Sequence, residues 1–156
     1  KKNKKAKLLD VGCGPGNITK YLLSKKSDFD IFGIDISPKM IELAKINNPL
    51  ANFEVMDGRF IKNLKTKYDG IIVGFCLPYL SQIECNELIS NSYNLLKENG
   101  LIYLSFIEGD PNKSDFKISS GGRVFFNYHN LNSIKEKLIT KKFNNTEVFK
   151  VEYKRS

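Results

Sequence analysis

Three acids and three glycines carry most of the chemistry in this chain. Asp10 sits in a short apolar run, Leu8-Leu9-Asp10-Val11, and Gly12-Cys13-Gly14-Pro15-Gly16 follows at once, with glycine at every second position. Asp35 and Asp57 end two later apolar runs. Glycine has no Cβ, so a turn built from it reaches positive φ and lets a ligand press against bare backbone. A dinucleotide turn is spaced G-x-G-x-x-G, but here Asn17 stands in the third glycine's place and the order is G-x-G-x-G. That spacing disfavours a pyrophosphate. Asp10 argues the same way, because a carboxylate repels a second anion and attracts a cation.

The elements that must position these residues follow from hydrophobic periodicity. A first strand runs into the glycine turn, and residues 18–26 read as a short helix. Residues 30–35 form a second strand. Ser37-Pro38 opens a second helix, with serine as cap and proline at the first helical position, and Asn47-Asn48-Pro49 ends it. Strands follow at 52–56 and 68–75, separated by a connection of undefined form over 59–67. Ser81-Gln82-Ile83-Glu84 is a capping-box pattern that starts a long helix toward Asn99-Gly100, and residues 101–106 read as the fifth strand. Asn130 caps a last helix, and 145–153 reads as a sixth strand. Alternating strands and helices imply βαβ units. The expected fold is a doubly wound α/β domain over residues 1–156. Its sheet is mostly parallel, in the order 3-2-1-4-5 with the last strand beside strand 5, and the ligand lies at the switch between strands 1 and 4.

Asp10-Val11-Gly12-Cys13-Gly14-Pro15-Gly16 resembles the first motif of class I S-adenosylmethionine-dependent methyltransferases, and the spacing to Asp35 and Asp57 extends the likeness over most of the chain. The resemblance implies a Rossmann-like fold and S-adenosylmethionine as cofactor, with S-adenosylhomocysteine as product. The cofactor's ammonium and sulfonium suit the charge of Asp10. The implied cofactor site comprises Asp10, Gly12, Cys13, Gly14, Gly16, Asp35, Ile36, Met56, Asp57, Gly58 and Phe75. Asp35 can accept hydrogen bonds from both ribose hydroxyls, a role that would serve NAD equally. Asp57 separates the two, since the resemblance has it accept from the adenine amino group while the Met56 backbone reads the ring edge. Taken alone, Asp57-Gly58 is also a good turn. Ile36 and Met56 are expected to sandwich the adenine, although both types also fill cores. A seventh strand and a helix before the first strand, usual in this family, are not seen, so the chain is either trimmed or part of something longer.

Gly74, Phe75 and Cys76 fall where the fourth strand opens toward the methionine end of the cofactor. Enzymes of this fold that methylate nucleic-acid amines read Asn/Asp-Pro-Pro-Tyr/Phe here. Cys76-Leu77-Pro78-Tyr79 keeps only Pro-Tyr and lacks the polar acceptor, which points to a small-molecule acceptor in place of nucleic acid. An RNA or protein methyltransferase, or a SAM-binding module without catalysis, are the rival readings. Tyr79 could face the sulfonium through its ring or simply pack at a helix entry. His129, the one histidine, is the available general base, or else a capping or surface residue. Residues 107–129 are long for a connection, rich in turn formers and then in aromatics, and read as a substrate lid. Glu108 and Asp110 either meet a cationic acceptor or solvate that loop.

Composition sets the outer limits. The 156 residues carry a net charge of +8, mostly from dispersed lysine pairs without interleaved arginine, which suits a solvated surface better than a nucleic-acid face. The lysine-rich start, Lys1 to Lys5, is read as a solvated lead-in. No apolar run approaches the roughly 20 residues of a membrane span, and no signal-peptide core follows the start, so a cytoplasmic protein is expected. Cys13, Cys76 and Cys85 show no C-x-x-C pair and suggest neither disulfide framework nor metal site. A homodimer is compatible with this reading.

Overall fold

A computed structural model describes residues 4–152. Its central sheet has five parallel strands: β1 (Lys7–Val11), β2 (Asp30–Asp35), β3 (Asn52–Val55), β4 (Tyr68–Val73) and β5 (Leu96–Leu104), in the order β3-β2-β1-β4-β5. Leu8 pairs with Ile31 on one side and with Gly70 on the other, so β1 lies between the two halves of the chain. Parallel neighbours need crossovers. These are α1 (Asn17–Lys25), α2 (Pro38–Asn47), a 3-10 segment over Gly58–Asn63, and α3 (Gln82–Leu95). Leu9, Val11, Ile34, Ile71, Val73, Leu88 and Ile89 are buried in the main core, and a smaller cluster of Cys13, Ile41, Ala44 and Phe53 lies by α2.

Local signals decide where the helices begin. Ser37 accepts from the Met40 amide and Pro38 occupies the first turn of α2. Ser81 and Glu84 form the full capping box of α3: the Ser81 hydroxyl accepts from the Glu84 amide and the Glu84 carboxylate accepts from the Ser81 amide at 2.8 Å. The far end of α3 differs from expectation. The helix stops at Leu95, not at Asn99-Gly100, and β5 starts at Leu96, opposite Tyr68. Asn99, at φ 62, absorbs the bend, and regular pairing resumes at Leu101 opposite Gly70.

Two further differences lie beyond β5. Residues 107–129, expected as an irregular loop, contain an antiparallel hairpin of β6 (Asp115–Ser119) and β7 (Gly122–Phe126). Cross-strand Phe116 and Phe125 stack edge to face at 5.1 Å, the kind of pair that stabilises a two-stranded ribbon. The helix capped by Asn130 follows as α4 (Leu131–Thr140). The sixth strand expected over 145–153 does not form at 145–152, and residue 153 lies outside the described residues, as do Lys1 to Asn3. Strand character needs a partner ladder as well as apolar residues. Here Phe149 and Val151, which supplied the signal, are largely exposed. Among the described residues no helix is long and apolar enough to cross a membrane.

The capping box gives a direct check on these local forces. Ser81→Ala removes the acceptor for the Glu84 amide and should lower stability by about 1 kcal/mol, read as a shift in the urea midpoint with unchanged slope.

Candidate active site at the carboxyl edge of the sheet

Because the five strands are parallel, their carboxyl ends all open on one edge of the sheet. The glycine turn leaves β1 there. Gly12, Gly14 and Gly16 have φ of 67°, 53° and 83°, left-handed values that a side chain would strain. The Cys13 amide donates to the Ile34 carbonyl at 2.9 Å, and the Gly16 amide closes the turn on the Cys13 carbonyl at 3.0 Å. A Cβ on Gly16 would collide with the Asn48 amide. That amide donates to the Gly16 carbonyl at 3.0 Å, and Asn47 donates to the Pro15 carbonyl at 2.9 Å. Asn47 and Asn48, read from sequence only as a helix stop, are thus the clips that tie α2 to the turn.

Asp10 lies beneath the turn and is 1% exposed. Its Oδ2 accepts a 2.8 Å hydrogen bond from the Thr19 hydroxyl of α1, and its Oδ1 is buried with no partner among the described residues. Burial pushes the carboxyl up to about 6, against the Thr19 hydrogen bond and with a smaller push from the Asp35 charge. An ionised carboxylate with one idle buried oxygen is a built receptor for a cation. Asp35, at the end of β2, faces the same turn: its Oδ2 accepts from the Gly14 amide and its Oδ1 from the Ser37 amide, each at 2.9 Å. Each oxygen keeps a further lone pair for a hydroxyl donor. Cys13 is buried, its thiol pushed up to about 12 by burial and by Asp10 and Asp35, so it stays protonated. Cys76 borders Gly12, whose Cβ would stand 3.2 Å from the Cys76 Cβ.

At the β3 end the Met56 amide donates to the Asp35 carbonyl at 3.0 Å, which sets Asp57 beside Asp35. Ile36 is 64% exposed next to them, while Met56 packs partly into the main core. The Asp57 carboxylate is already engaged. Arg59 donates to it from its backbone amide at 2.9 Å and from Nη2 at 2.6 Å, and its Nη1 donates to Glu84 at 3.1 Å. The guanidinium holds the Asp57 carboxyl below its usual range. Nothing in the motif spacing signals Arg59, since its partner Glu84 lies on another element.

At the β4 end Phe75 has φ 54, a left-handed value for a bulky residue, held by donation of its amide to the Ser105 hydroxyl at 2.8 Å. Strain of this kind clusters where a ligand or a switch requires it. Phe75 and Tyr79, on the 3-10 turn Leu77–Tyr79 that follows, are both more than half exposed. The hairpin's base is moored to that turn: the Asn127 amide donates to the Pro78 carbonyl at 2.8 Å. His129 is not free to act as the general base expected from sequence. It is fully buried, its Nε2 donates to the Leu77 carbonyl at 2.7 Å, and its Nδ1 accepts from the Gln82 amide, which also donates to the Tyr128 carbonyl. Both ring nitrogens are spent on holding the hairpin. The neighbouring acids are also committed: Asp110 accepts from the Asn112 amide and Glu108 pairs with Lys150.

Known proteins fit this arrangement. A methyltransferase-domain family model matches residues 8–100, from within β1 to within β5. The chain belongs to the methyltransferase-domain family. It is 36% identical over 95 residues to a trans-aconitate 2-methyltransferase of Enterobacter sp. (strain 638), covering 61% of this chain and 36% of that protein. It is 32% identical over 106 residues to the tRNA N(3)-methylcytidine methyltransferase trm140 of Schizosaccharomyces pombe, covering 61% and 34%. Among solved structures it is similar to the plantazolicin methyltransferase BpumL in complex with a triazolic desmethylPZN analog and SAH, with TM-score 0.52 and 30% identity over 62% of this chain and 36% of that one. The chain thus spans between a third and a half of the length of the curated relatives it matches.

Within a methyltransferase domain the idle oxygen of Asp10 has a clear physical signature. Its carboxyl is raised above the ordinary 3.8, so its contribution to stability is full below about pH 4 and is lost as pH rises through about 6. Asp10→Asn should therefore stabilise the free protein at pH 7.5 by about 1–3 kcal/mol and change little at pH 4, as read by denaturation at both values. His129→Ala should do the opposite. Leaving the Leu77 carbonyl and the Gln82 amide without partners should cost about 2–4 kcal/mol, seen as a lower Tm.

Proposed function

We propose that this domain binds S-adenosylmethionine at the carboxyl edge of the sheet and transfers its methyl group to a nucleophilic atom of a small molecule. The observation that carries the reading is the buried, half-partnered carboxylate of Asp10 under a G-x-G-x-G turn. It is a site made for a cation and unsuited to a pyrophosphate. Asp10 would take the cofactor's cationic methionine end, with Gly12, Cys13, Gly14 and Gly16 presenting backbone. Asp35 would accept from the ribose hydroxyls. Ile36 and Met56 would flank the adenine, with Asp57 and Gly58 at its amino edge. Arg59 must share or release the Asp57 carboxylate for that last contact to form.

Bound S-adenosylmethionine supplies an already activated methyl on a sulfonium. The chain's own part is then to hold an acceptor in line and keep water out, which needs no conspicuous base. That division of labour agrees with the burial of His129. Phe75 and Tyr79 would wall the acceptor side, the Tyr79 ring facing the sulfonium, and residues 107–129 would cover the acceptor as a hairpin lid moored through His129. The small-molecule preference is supported by Cys76-Leu77-Pro78-Tyr79, which has cysteine where the amine-methylating motif has its Asn or Asp acceptor, and by the trans-aconitate relative. Three cysteines without a disulfide suit the reducing interior of a cell, and we infer a cytoplasmic location.

Calorimetry with S-adenosylmethionine, S-adenosylhomocysteine and NAD tests the cofactor. Asp35→Ala should weaken S-adenosylhomocysteine by about 1.5–3 kcal/mol, and tighter binding of NAD would sink the reading. Radiolabelled methyl offered to a metabolite extract, to RNA and to protein should appear in the metabolite fraction. Label mainly in RNA, with salt-sensitive binding, would transfer the activity to a macromolecule.

A further inference from the structure

Thr19 lies outside the glycine motif, yet it is the one fully buried residue of α1 and its hydroxyl reaches Asp10 beneath the glycine turn. Its hydroxyl has a nearer alternative in helices, a carbonyl one turn back. Here it donates instead to Oδ2 of Asp10 at 2.8 Å, nine residues earlier in the chain. The two side chains are 0% and 1% exposed, so water does not compete for the bond. The other oxygen, Oδ1, is buried without a partner.

We propose that Thr19 is the positioning residue that clamps one oxygen of Asp10 and thereby presents the other to the cationic end of the cofactor. The idea rests on the cofactor reading above. A threonine suits the task because its branched side chain has few χ1 states in a helix, so the hydroxyl is aimed before a ligand arrives. Among the described residues the surroundings of Asp10 offer no rival clamp. In the sheet its neighbours are Gly33 of β2 and Ile72 of β4, neither titratable. The remaining ionisable groups that act on it or on its neighbour are Asp35, a like charge, and Cys13, a protonated thiol. Thr19 is therefore the one side chain that favours the ionised form against burial.

The consequence is a pH dependence that a merely structural threonine would not produce. Cofactor affinity should fall as Asp10 takes up its proton near pH 6. Thr19→Val keeps the shape and removes the donor. The Asp10 midpoint, followed by carboxyl carbon NMR in the free protein, should rise by about one pH unit. S-adenosylhomocysteine should then bind about eightfold more weakly at pH 5.5 and within about twofold of wild type at pH 8. Thr19→Ser should restore both values. Thr19→Ala, which removes the donor with less volume, serves as the second variant if valine perturbs folding. An unchanged Asp10 midpoint, or an equal loss of affinity at both pH values, would overturn the proposal. If the wild-type protein binds no S-adenosylhomocysteine at any pH, the cofactor reading itself has failed and this inference falls with it. Binding by wild type with an unaltered pH profile in the variants condemns the clamp alone.

Discussion

The parallel pairing of β1 with both β2 and β4 is the constraint from which the rest of the structure follows. Pairing in the same direction on both sides forces every connection to cross over and forces every strand of the sheet to open its carboxyl end on one edge. The chain leaves β1 toward β2 and returns later to β4, so the crevice between the outgoing and returning halves lies above β1 itself. Any residue that follows a strand is then a candidate wall of that crevice. Asp35, Asp57 and Phe75, scattered over 40 positions of sequence, share one rim for this reason alone.

Electrostatics at that rim are set against stability. A carboxylate buried as deeply as Asp10 destabilises the free fold near neutral pH, and its idle oxygen has no structural use. Such a group persists when its partner arrives from outside, and perturbed carboxyls of this kind concentrate at functional sites. Phe75 is a second instance, a bulky residue held at positive φ beside the same crevice. The opposite choice is made at His129. Its imidazole is fully satisfied by Leu77 and Gln82, which makes it a strut between the 3-10 turn and the hairpin.

The first turn of α3 ties the two ends of the site together. Gln82 holds Tyr128 and His129 at the base of the hairpin, while Glu84, two residues on, caps its own helix and holds Arg59 against Asp57. The adenine end and the acceptor end of the proposed site are therefore anchored on a single helical turn. This arrangement gives the capping box a second task besides starting a helix.

How much of this was legible beforehand depends on the range of the force involved. Signals carried by neighbours in sequence were readable: the glycine turn, the Ser37-Pro38 and Ser81-Glu84 helix starts, the alternation of strand and helix, and hence the sheet order. Glycine conformations and caps are local, and hydrophobic period reports which face is buried. What depended on partners distant in sequence was not readable. The apolar pattern at 145–153 promised a strand, but a ladder needs a neighbour, and none forms for 145–152. The aromatic run at 124–128 became a hairpin because Phe116 stood opposite Phe125. Asn48 and Arg59 reach Gly16 and Glu84 across the fold, Thr19 reaches back from α1 to Asp10 in β1, and a lone histidine became a buried strut once Leu77 and Gln82 closed on it. The sequence by itself determined the acids, the bare turn and the alternation of strand with helix, because those are properties of a residue and its neighbours. Only the tertiary structure decided which side chains are buried and what each one's polar atoms meet, since that is settled by the packing of elements far apart in the chain.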